Sequence, residues 1–209
     1  MKKGLEFLSN SNKEGIKALI EVSGIKTKTM NTMHVGFILG PRINASGRLS
    51  DANLSLKLLL TDSKEVAFDI ANALNTENKN RQRIETEILD EVLSKVEREF
   101  DFKKDRVIVV HGESWHPGVI GIVASRLVDR FYRPAIVLSL MGGLLKGSAR
   151  SIEGFHIFDG FNRCKEYLVE FGGHRLAAGL SLKEENLKEF SSKWASKYTL
   201  TKLVYNVNN

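Results

Sequence analysis

The sequence predicts an α/β protein: a mixed β-sheet domain flanked by helices, preceded by a helical region and a long connecting helix. Three observations carry this. Apolar residues recur at helical spacing in the first part of the chain. A long stretch then holds Val66, Ile70 and Leu74 on one stripe and Ile84, Ile88, Val92 and Val96 on another. After Asp101 the pattern changes to short β-branched runs separated by glycine turns and apolar helices.

The elements follow in order. Residues 14–22 read as a helix, closed by a loop at Ser23-Gly24. Residues 52–60 read as another, with Leu54 and Leu58 on its stripe and Asp51 as its N-cap. This first region, residues 1–62, is expected to be too small for a core of its own and to lean on something else. Residues 63–100 form the connecting helix. Its middle, Asn75 to Arg83, is almost wholly polar, which suits either a bridging arm or a solvated face. Residues 101–209 form the third region, with the boundary near residues 101–105. There the expected order is a strand at 107–110, a helix at 119–131, a strand at 135–138, a turn at Gly142-Gly143 and a strand at 144–151. A helix at 158–169, a glycine turn, a strand at 177–182 and a helix at 184–197 complete a sheet with mixed strand directions.

Composition narrows the function classes. With 42% hydrophobic and 27% charged residues the chain is a soluble globular protein rather than a disordered one. Its 31 Lys+Arg against 25 Asp+Glu give a formal charge of +6, which favours polyanionic partners through counterion release without identifying one. A single cysteine, Cys164, excludes an intramolecular disulfide and any multi-cysteine zinc site, and fits a reducing cytoplasm. Met1-Lys2-Lys3 is not followed by an apolar run, and no segment approaches the roughly 20 apolar residues that span a bilayer. Neither secretion nor membrane insertion is expected.

Four motifs suit phosphate chemistry, each beside a plainer structural reading. Trp115 to Arg126 joins a loop to a helix whose exposed first amides can receive a phosphate; its small residues Gly121 and Ala124 equally serve tight packing on a sheet. Lys146 to Ser151 sets two hydroxyls, a guanidinium and an ammonium on an extended stretch. Alternation places Ser148 and Arg150 on one face and Ala149 and Ser151 on the other. A forked guanidinium beside a hydroxyl fits a phosphate, and a surface strand with a basic residue fits the same letters. Gly172-Gly173-His174 permits unusual backbone angles and close approach of a ligand, with an imidazole to donate a hydrogen bond or simply to occupy a turn. Gly40 to Leu49 reads as a loop carrying Arg42, Asn44 and Arg48, able to grip a backbone or a neighbouring domain. The five histidines are scattered and no carboxylate cluster accompanies them, so no metal site is expected in this chain. No aromatic ladder for base stacking is evident.

Taken in order, GPRINASGRL, NKNRQRIE, WHPGVIGIVASRL, KGSARS and FGGHRLAAGLSL resemble the RecJ family of DHH-type phosphoesterases, over most of the chain. The resemblance implies an N-terminal DHH domain that holds two divalent metals, Mn2+ or Mg2+. No Asp-His-His triplet occurs here, and residues 2–8 look like the stretch that follows that domain. On this reading the chain is the substrate-binding portion of a 5′-3′ single-stranded-DNA exonuclease. Its partners are single-stranded DNA and the DHH domain, in cis or as a separate chain. Ser148 and Arg150 then take a terminal phosphate, Gly172, Gly173 and His174 contact phosphate or nucleotide, and Arg42, Asn44, Arg48, Arg81 and Gln82 line the strand's path or hold domains together. The alternatives are a DHH-superfamily phosphodiesterase acting on oligonucleotides or cyclic dinucleotides, and a non-catalytic single-strand-binding module.

Overall fold

The structure, a computed structural model, describes residues 2–197. It divides into two compact units, one up to Arg83 and one from Ile84. The first unit is helical: α1 (Lys2–Ser9), α2 (Glu14–Val22), α3 (Thr32–His34), α4 (Gly40–Leu49), α5 (Asn53–Leu60) and the first half of α6 (Lys64–Glu99). Residues 2–62 do not close a core alone: their helices share one with α6. Leu19 of α2, Leu39 and Leu58 of α5 close over Ala67, Ile70, Ala71 and Leu74, which recur along α6 at the spacing of one helical face. The support that this region leans on is therefore the long helix itself. Gly15 allows the tightest approach, since a side chain there would run into the backbone of Leu58.

Two local expectations in this unit are corrected. The segment from Gly40 to Leu49 is a helix, not a loop. Pro41 lies in its first turn, where a missing N–H costs nothing, and the preceding Val35–Leu39 turn is π-helical, so the Gly40 N–H reaches the Val35 carbonyl. Ala45 and Ser46 are buried, and that packing outweighs the turn-forming composition. The N-cap position of α5 is Ala52 rather than Asp51, although the Asp51 carboxylate still accepts the Asn53 N–H at 2.9 Å.

The second unit is built on a five-stranded sheet of β1 (Ile108–Glu113), β2 (Ala135–Met141), β3 (Leu144–Arg150), β4 (Leu168–Gly173) and β5 (Ala177–Lys183), in the order β1-β2-β3-β5-β4. β1 and β2 are parallel, joined through α7 (Pro117–Phe131), and the other pairings are antiparallel. Gly142 and Gly143, both at positive φ, turn β2 into β3. Ile136, Leu138, Leu145, Ala149, Ala178, Leu180 and Leu182 share a core with Phe161 of α8 (Ile157–Asn162) and with Phe190 and Trp194 of α9 (Leu187–Lys197). One expectation fails here. The helix foreseen over 158–169 stops at Asn162, and Leu168 to Gly173 becomes a strand, so the paired glycines end a strand instead of forming the turn. Val169 and Phe171 suit a strand, and pairing with β5 supplies hydrogen bonds that a helix running into two glycines would lack.

Candidate nucleic-acid interface

β3 sets the geometry. Successive side chains alternate, so Ala149 is buried in the core while Ser148 and Arg150 share the opposite face. There the Arg150 Nη1 donates to Ser148 Oγ at 2.9 Å and to the Ala149 carbonyl at 2.9 Å. Helix α7 crosses this pair at Gly121. A Cβ at that position would lie 2.9 Å from Ser148 Oγ and 3.0 Å from Arg150 Nη2. Gly121 therefore packs tightly on the sheet, as its smallness allowed, and the atoms it packs on are those of the candidate phosphate pair. Ala124 is fully buried.

The sheet register extends the site sideways. Ser148 pairs with Gly179 of β5, which pairs with Gly172 of β4, so a hydroxyl and two glycines form one row across three strands. Both glycines are exposed. A methyl at Gly172 would meet nothing within 4 Å, and at Gly179 nothing nearer than the Gly147 carbonyl at 3.8 Å. Neither packing within the chain nor backbone conformation requires glycine at these two places, and the row forms a floor of bare main chain beside a guanidinium. Gly173 differs: its φ of 148° is glycine territory. His174 follows it, exposed, with its backbone N–H donating to the Ala177 carbonyl at 2.7 Å to close the hairpin. A guanidinium fork, a hydroxyl and an imidazole around an uncluttered backbone can accept a phosphate together with its attached sugar.

At the start of α7 the expected free amides are partly taken. The His116 Nδ1 accepts the Gly118 N–H at 3.1 Å, making this histidine an N-cap. The cap and the Gly121 contact were not readable from motif spacing, because both depend on how α7 lies on the sheet.

The remaining candidates lie in the first unit. Arg42 in α4 is partly buried; its Nε donates to Asn75 Oδ1 at 3.0 Å and its Nη1 to the Ile38 carbonyl at 2.8 Å. Burial holds its guanidinium below the ordinary arginine range. Asn44 and Arg48 are exposed on the same helix, and Gln82 is exposed on α6. Arg81 is only 8% exposed, and its Nη2 donates to Asn78 Oδ1 at 3.1 Å. The polar middle of α6 is thus not uniformly solvated, since Asn78 and Arg81 are both buried.

Among the described residues no group of three or more His, Cys, Asp or Glu side chains is arranged to hold a metal ion. These residues do not fit a divalent-metal centre, and no chemical step through a metal is assigned to them. No helix among the described residues is long and apolar enough to cross a membrane.

Residues 104–198 match the DHHA1 domain. The chain is 43% identical over 192 residues to the single-stranded-DNA-specific exonuclease RecJ of Bacillus subtilis, covering 91% of this chain and 24% of that protein. It is 42% identical over 193 residues to the Escherichia coli protein of the same name, covering 88% of this chain and 33% of that one. The crystal structure of RecJ in complex with Mg2+ from Thermus thermophilus superposes with a TM-score of 0.83 at 31% identity, over 94% of this chain and 30% of that chain. The chain thus spans between a quarter and a third of the length of these relatives. A DHHA1 match, an ordered set of motifs and a common fold over nearly all of its residues agree: the chain belongs to the RecJ family, as a part of it that carries the DHHA1 domain.

Proposed function

We propose that this chain is the strand-binding portion of a cytoplasmic RecJ-type single-stranded-DNA exonuclease of DNA repair and recombination. It holds the strand and its terminal phosphate, while phosphodiester hydrolysis belongs to a DHH domain in cis or on a separate chain. The divalent metals, Mn2+ or Mg2+, are assigned to that domain. The observation that carries the reading is the Ser148–Arg150 pair beside the Gly172–Gly179 floor. Arg150, already oriented by Ser148 Oγ and the Ala149 carbonyl, presents its fork to the terminal phosphate. Ser148 supplies a hydroxyl, and the glycine floor lets the strand lie against main chain. His174 donates to phosphate or nucleotide from the hairpin end. Arg42, Asn44, Arg48, Arg81 and Gln82 line the strand's path or hold its walls; the contacts of Arg42 and Arg81 within the protein favour the second role for those two.

The test is Arg150→Ala with the DHH domain restored, assayed on single strands with and without a 5′-phosphate. Loss of a charge-assisted phosphate contact of about 1.5–3 kcal/mol lowers binding or rate by roughly ten- to a hundredfold. The loss is expected to be larger on the phosphorylated strand. Equal losses on both substrates would mean a general backbone contact, and no loss would make Arg150 a solvated charge.

A further inference from the structure

Lys146 has the same facing as Ser148 and Arg150, two and four residues back along β3. It is exposed, and among the described residues it has no hydrogen bond and no ion pair. Its cross-strand neighbours are Ser139 on β2 and Ser181 on β5. The Ser139 hydroxyl donates to the Trp115 carbonyl at 2.6 Å, which fixes the residues leading into α7 beside this row. The Ser181 side chain is 1% exposed and its hydroxyl has no hydrogen-bond partner. The one carboxylate that the register places in the row is Glu170, beyond Ser181 on β4 and so about 9.5 Å away across two strand spacings. Lys146 is therefore an uncommitted cation in line with the terminal-phosphate pair.

We infer that Lys146 is a second phosphate-binding position, taking an internal phosphodiester of a strand whose terminal phosphate lies at Ser148 and Arg150. This rests on the reading of that pair given above. Ser148 and Arg150 are joined by the 2.9 Å contact of Nη1 with Oγ and so act on one phosphate. Lys146 makes no such contact with the pair and lies four residues of strand, about 13 Å, from Arg150. It is therefore assigned to a different phosphate. The strand runs from Arg150 back along β3 toward the Gly142-Gly143 turn, its backbone over β3 and its sugars toward the glycine floor.

The experiment measures binding of 5′-phosphorylated and 5′-hydroxyl oligothymidylate to the whole chain by fluorescence anisotropy over a range of NaCl concentrations. Wild type, Lys146→Gln and Arg150→Ala are compared. Each phosphate contact on a single strand contributes about 0.7 to the slope of log K against log salt. Lys146→Gln is expected to reduce that slope by about 0.7 and to weaken low-salt binding roughly three- to tenfold, equally on both oligonucleotides. Arg150→Ala is expected to abolish the preference for the 5′-phosphate instead. An unchanged slope and affinity in Lys146→Gln overturns the second position alone. Loss of the 5′-phosphate preference in that variant also overturns it, by placing Lys146 on the terminal phosphate. A wild-type chain with no such preference overturns the terminal-phosphate reading and the ordering built on it.

Discussion

Replacing Gly121 by alanine sets two effects of similar size against each other. Removing a glycine from a helix interior gains about 1 kcal/mol. The added methyl would meet Ser148 Oγ at 2.9 Å and Arg150 Nη2 at 3.0 Å, and overpacking of this kind costs about 1–3 kcal/mol. Both atoms end side chains that can rotate away, so the cost falls at the low end and the fold survives. What moves is the guanidinium. Gly121→Ala is expected to leave the melting temperature nearly unchanged while weakening the preference for a 5′-phosphorylated strand. A large drop in melting temperature with the preference intact would make Gly121 a packing residue only. At this scale the sequence was partly legible. Alternation along β3 was enough to set Ser148 and Arg150 on one face, but their contact with Gly121 depends on the seating of α7, which no spacing encodes. Arg81 was equally hidden: its polar neighbours read as solvated or as an arm, yet it is buried against Asn78.

The second half of α6 is tied to the sheet through Trp115, which is 4% exposed. Its Nε1 donates to Glu91 Oε2 at 2.7 Å. Lys95 lies 3.3 Å from the other Glu91 oxygen and 5.2 Å from the indole centroid. Gly112 of β1 leaves room for the ring, and a side chain there would strike the indole directly. Trp115→Phe keeps most of the apolar area and removes one hydrogen bond to a half-exposed carboxylate that water can solvate, so it should cost about 1 kcal/mol. Trp115→Ala opens a cavity and should cost about 3–5 kcal/mol. Urea titrations of both variants check this; equal costs would mean that the Glu91 bond, not the packing, fixes the helix. Regular elements were legible where periodicity was strong: α2 matches its expected range, and α6 and α7 match to within a residue or two. The failures share one cause. From Gly40 to Leu49 and from Leu168 to Gly173, local composition pointed one way and tertiary contacts the other. Burial of Ala45 and Ser46 made a helix, and pairing with β5 made a strand.

The whole chain combines a positively charged sequence with an absence, among its described residues, of any His, Cys, Asp and Glu group suited to a metal. It also spans 24% and 33% of two RecJ proteins that it resembles over about nine-tenths of its own length. Binding and chemistry should therefore separate when the chain is purified alone. Affinity for single-stranded DNA needs only cations and an accessible floor, both present here, and should fall steeply as salt rises because each neutralised phosphate releases counterions. Hydrolysis is assigned, on the proposed reading, to the DHH domain. The purified chain, incubated with a labelled single strand and Mn2+, is expected to retard the strand at low salt and to leave it intact. Degradation that persists through rigorous purification and disappears on mutation of a residue within the chain would place a catalytic centre in it. Absence of binding by a chain shown to be folded would mean that the strand is held only when the DHH domain closes over it.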